Sequence, residues 1–221
     1  MYWHLGTNIT ACIAAGRVMF LDIALDRYFA APPAINDGLA RWLGDRTALA
    51  GAPEVEAFLA QICGPDGDEA GCLAPTPREV AMPSPFDARL DSLGRIRPAA
   101  LASIALRVCR AQRDLRRKPL GAVLADRLAP GRFPSSPDPA LLRHRLRAFH
   151  AARPLVPVPR ICLHDCLALL DWLGEARAGT QLLFGVAAYP FAAHSWVQWQ
   201  DEVIDGHPES VSRFTPIRCF P

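Results

Sequence analysis

Twenty-one prolines among 221 residues punctuate this chain, about twice the usual share, and they bound the length of every element it can form. Pro32-Pro33 closes an extended start and Pro53 opens a helix. Several prolines between 64 and 85 interrupt a glycine-rich acidic stretch, and Pro157 and Pro159 bar any helix until Arg160 or Ile161. Elements this short favour a mixed α+β fold over a long bundle. The stop at Pro159 also has a chemical consequence: the helix after it carries Cys162 in its first turn. There the unpaired amides and the dipole favour thiolate over thiol. Leu163, Leu167, Leu170 and Leu173 recur at helical spacing, which predicts burial along one side, and Gly174 is the expected stop.

Gln181–Ala187 reads as a buried strand, and Ala192–Trp199 as a second after the Tyr189-Pro190 break. A two-residue turn at Gln200 and Asp201 would bring 202–205 back alongside. Trp199 then faces Glu202, Gln198 faces Val203 and Trp196 faces Asp205, leaving His194 diagonal to Asp205 at about 7–8 Å along the backbone, within reach of an imidazole and a carboxylate. Cys162, His194 and Asp205 are therefore the candidate nucleophile, base and orienting acid. Asp165, one turn after Cys162, either serves the helix dipole or, facing the thiol, raises its pKa. Cys166 reads as a small hydrophobe. A zinc site built from Cys162, His164 and Cys166 with His194 or Cys219 competes for the same residues, without a paired C-x-x-C motif to support it. No cofactor is expected.

Net charge is +2, which makes no case for nucleic acid. Many arginines cluster between Arg95 and Arg147 and read as solvated helix faces, or alternatively as a surface for an acidic partner. Seven cysteines form no regular framework, and MYWHLGTNIT lacks a basic start and a long apolar core, so a reducing cytoplasm is expected. No apolar stretch reaches membrane-spanning length.

In chain order, ITACIA, RVMFLDIA and DRYFAA read as short strands, with breaks at Ala15-Gly16 and near Leu25-Asp26. Arg27–Ala30 would be an exposed last strand. Helices come next, at Ile35–Leu43 and Pro53–Cys63. The domain reading is a module at 1–75, a linker at 76–92 and a second domain at 93–221. GPDGDEAG lacks the ligand spacing of a calcium loop. Pro98–Arg117 and Pro139–Arg153 are amphipathic helices packed around the Cys162 helix, and 119–138 becomes irregular towards its end. Helices first and antiparallel strands last is the order of papain-like and transglutaminase-like folds.

Four motifs carry a resemblance: CLHDCLALLDWL at 162–173, LLFGVAAYPFAAHSWVQ at 182–198, VID at 203–205 and PESVSRFTPI at 208–217. Together they resemble the B proteins of lasso-peptide biosynthesis, transglutaminase-like cysteine proteases that remove the leader from a ribosomally made precursor. The resemblance places the catalytic roles on Cys162, His194 and Asp205. It also shows one departure, since serine is common in the family where this chain has Cys166. More weakly, VMFLDIALDRYFAAPP at 18–33 and NDGLARWL at 36–43 resemble the family's winged-helix-like recognition module. That implies a leader peptide added as a strand along Arg27, Tyr28, Phe29 and Ala30, against the helix bearing Phe58 and Ile62. The implied partners are the precursor peptide and a separate ATP-dependent, asparagine-synthetase-like cyclase; this chain has no phosphate-binding loop of its own. Two other functions stay open: acyl transfer to an amine by the same triad, and a noncatalytic adaptor that escorts the precursor.

Overall fold

A computed structural model of the chain describes residues 5–6, 8–44, 53–62, 84–85, 96–128, 138–200, 202–205 and 211–220. These fall into two compact units. The first gathers the residues up to 62 with 184–193 and 213–219; the second gathers 84 to 183, 194–205, 211–212 and Phe220.

Turn chemistry builds the first unit. Ala15 and Gly16 both take positive φ (47° and 78°), the two-residue geometry that matches strand twist, and so join β1 (Ile9–Ala14) to β2 (Arg17–Asp22). Asp22 then accepts from the amides of Ala24 (3.0 Å) and Leu25 (3.1 Å), turning the chain into β3 (Arg27–Ala30). The sheet runs β1-β2-β3, antiparallel throughout, with Phe20 opposite Phe29 and Leu21 opposite Tyr28. Helices α1 (Asn36–Gly44) and α2 (Pro53–Ile62) close over it. Val18, Phe20, Leu39, Trp42, Val55 and Leu59 form the apolar centre. A Cβ on Gly38 would stand 2.6 Å from a Val55 methyl, so these helices cross where only glycine fits.

The second unit centres on α6 (Cys162–Leu173), on which α3 (Pro98–Arg117) and α5 (Pro139–Ala152) both pack. Prolines stand at the first positions of α3 and α5, where the missing N–H has no helical partner to lose. Asp138 caps α5 through the amides of Ala140 (2.9 Å) and Leu141 (3.1 Å). Residues 166–170 and Leu173 are all buried, so α6 is enclosed on more than the one side that its leucine spacing indicates. A further helix, α4 (Leu120–Arg127), comes directly after α3.

Part of the arginine cluster is internal, which corrects its reading as solvated faces. Arg127, 6% exposed, joins Asp114 of α3 (2.8 Å) to Asp171 of α6 (2.6 Å). Arg107 and Arg145 donate to the last-turn carbonyls of α6, at Asp171 (3.1 Å) and Trp172 (2.8 Å), where a helix favours cations.

The remaining strands are β4 (Ser84–Pro85), β5 (Thr180–Ala187), β6 (Ala192–Trp199), β7 (Glu202–Val203) and β8 (Thr215–Phe220), in the sheet order β4-β7-β6-β5-β8. The helices-then-antiparallel-strands expectation needs one correction. β4 comes from the expected linker and pairs parallel with β7. Among the described residues, no helix is long and apolar enough to cross a membrane.

Candidate active site

The chain before α6 is held by one cation. Arg153, 1% exposed, donates to Asp165 Oδ1 (2.7 Å) and to the carbonyls of Val156 (3.4 Å), Val158 (3.1 Å) and Pro159 (3.1 Å). The proline-bounded approach to the helix is thereby tied to the helix itself. Arg160 adds a second contact to Asp165 at 3.5 Å. The Asp165 charge is thus answered by arginines. Cys162 is the first helical residue, with Ile161 as N-cap. First-turn amides have no intrahelical acceptor, so its N–H is available to a ligand oxygen.

β6 brings the imidazole. His194 and Trp196 lie on one face, as the two-residue period of a strand requires, with ring centroids 6.2 Å apart. Burial pushes the Cys162 thiol up, but hydrogen bonds with His194 and with the side chain and backbone of Ser195, aided by the His194 charge, bring it down to about 7. A substantial share of the sulfur is then thiolate near neutral pH.

The return strand keeps the expected register, Trp199 opposite Glu202 and Gln198 opposite Val203, with Gln200 at positive φ (54°). It does not run on to 205. β7 ends at Val203, and two tethers hold Ile204: its amide donates to Val197 O (2.9 Å), and its carbonyl meets His150 Nε2 at 2.8 Å. Asp205 sits just beyond. Its Oδ2 accepts from the Cys166 thiol at 3.0 Å, while its Oδ1 is buried without a hydrogen-bond partner. Burial raises this carboxyl to about 6; the Cys166 bond, the amides of Val197 and Asp205 and the His194 charge pull the other way. The structure therefore brings together Cys162 and His194 through a hydrogen bond, and His194 and Asp205 through charge.

The residues expected along a peptide edge lie in the first unit. β3 is the outer strand of its sheet, and Arg27 is exposed. The Ala31 amide donates to Val18 O (2.8 Å), so strand alternation points the Ala30 amide away from β2. Tyr28 meets Phe191 at 6.1 Å. Phe29 stacks on Phe20 (4.9 Å), Phe58 tilts against Phe20 (5.7 Å), and Ile62 packs on the same apolar centre.

Four contributors escaped the sequence reading. Ser195 was masked by its neighbour His194. Cys166, read as a mere hydrophobe, is buried but hydrogen-bonded to the acid. His150 and Arg153 act on backbone carbonyls, which leave no trace in residue periodicity. Among the described residues no three His, Cys, Asp or Glu side chains gather as metal ligands. Residues 85–219, more than half of the chain, match the family model of the transglutaminase-like superfamily. No curated protein and no solved structure matches the chain.

Proposed function

Because the chain belongs to the transglutaminase-like superfamily, which generally has cysteine-protease or transferase activity, we propose that it is a cysteine peptidase that binds a lasso-peptide precursor and cuts away its leader. The observation that carries this reading is the lowered Cys162 thiol at the start of α6, hydrogen-bonded to His194.

In this reading Cys162 Sγ attacks the scissile carbonyl as His194 takes up the thiol proton. The Cys162 amide stabilises the oxyanion. Collapse breaks the C–N bond, and His194 delivers its proton to the leaving amine. A water deprotonated by His194 then attacks the thioester, releasing the new carboxyl end and returning the thiol. Asp205 holds the imidazole tautomer and answers its charge in each half-reaction; its lone buried Oδ1 is available for the ring N–H.

Recognition falls to the winged-helix-like first unit. A leader strand pairs with the outer edge of β3, with Arg27 and Tyr28 flanking it and Phe29, Phe58 and Ile62 shaping the apolar side; the position of β3 in the strand order supports this. The product passes to a separate ATP-dependent, asparagine-synthetase-like cyclase, in the cytoplasm.

The test is to incubate the purified full chain with a candidate precursor, with and without cyclase and ATP, and to weigh the products. Leader and core released with the addition of water support the reading. An isopeptide bond formed without leader release points to acyl transfer. Cleavage that survives Cys162→Ala but is lost on removing residues 1–75 points to an adaptor.

A further inference from the structure

α6 carries a second thiol one turn beyond the first. Cys166 is 0% exposed, with its Sγ 3.0 Å from Asp205 Oδ2 and 3.7 Å from Ser195 Oγ. A thiol has one proton, and a carboxylate is a stronger acceptor than a hydroxyl. Cys166 therefore donates to Asp205. Burial and the Asp205 charge push the Cys166 thiol well above its ordinary value, so it stays S–H near neutral pH. It is unsuited to be the nucleophile.

We infer that Cys166 is a positioning residue for the acid: its thiol proton holds Asp205 Oδ2, fixing the rotation of the carboxylate and leaving Oδ1 to receive the imidazole N–H. The inference deepens the peptidase reading and rests on it. Positions four apart on a helix lie on one face, so a single rigid element sets the nucleophile and the group that holds the acid. The groups facing this carboxylate are Cys166 from α6, His194 and the Val197 amide from β6, and its own backbone amide; Cys162 and Ser195 face Cys166 in turn. From α5, His150 bonds the Ile204 carbonyl.

Two variants of the full chain separate this role from space-filling. Cys166→Ser keeps a donor, and Cys166→Ala removes it. A donor stabilises the charged carboxylate, so its loss raises the Asp205 pKa and moves the acidic limb of kcat to higher pH. For Cys166→Ala the expected result is a kcat about tenfold lower at neutral pH, an acidic limb about one unit higher and an unchanged KM. Cys166→Ser returns both to near the wild-type values. An unmoved limb in Cys166→Ala, or a Cys166→Ser that behaves like Cys166→Ala, overturns the inference.

Infrared spectroscopy separates its failure from that of the peptidase reading, because it needs no substrate. The difference spectrum between wild type and Cys166→Ser isolates the Cys166 S–H stretch. That band should lie lower than in the same difference taken in an Asp205→Asn background, and equal positions overturn the clamp whatever the enzyme cleaves.

Discussion

The amino-terminal module and the helical layer around α6 are held by different physics. In the module, Phe29 and Phe58 lean on Phe20 within an aliphatic cluster. Such burial is non-directional, and volume-conserving changes are absorbed. Around α6, Arg127 spans two aspartates, and Arg153 spans one aspartate and three carbonyls. A buried cation with several fixed acceptors has one satisfactory geometry, and losing it strands its partners. The contrast teaches where position is held tightly: at the start of the helix bearing the thiol, and less so on the sheet proposed to receive a peptide.

Four measurements break or sharpen that contrast. The largest effect belongs to Cys162→Ala, which should lower peptide cleavage at least ~10³-fold by mass spectrometry; an unchanged rate moves the chemistry elsewhere. Next, Arg153→Met should lower stability by about 3–5 kcal/mol in urea melts, because Asp165 is left without its buried partner. Phe58→Leu should cost less than about 1.5 kcal/mol. Similar losses would erase the distinction between the two regions. Third, Cys162 should be alkylated at least about tenfold faster than Cys12 at pH 7, since burial pushes Cys12 to about 12 while Cys162 is brought down to about 7. Its rate should rise through pH 7 to a plateau, as mapped by peptide mass. The smallest effect is expected of Ala30→Pro, which removes an outward amide from β3. It should raise KM for the precursor about fivefold with kcat intact; an unaltered KM would take the peptide off this edge.

What could be read from the sequence was whatever carries a local signature. Ala15-Gly16 marked a break between strands, Pro159 placed Cys162 at a helix start, and parity alone gave the pairing of Gln198 with Val203. Gln200 takes the part of a turn glycine without being one, and tethers at Ile204 replace the expected strand. Arg127 and Arg153 find their partners across elements, and such pairs obey no repeat. Cys166 looks like any small residue on an apolar helix until an acid from the far end of the chain arrives beside it.

A sheet margin that can accept a guest can also accept a copy of itself, the first step towards aggregation. β3 is four residues long, and Arg27 places a charge at its outset, so a self-made ladder would be brief and would have to accommodate that charge. The short strand restricts what can settle there to something bringing its own additional contacts.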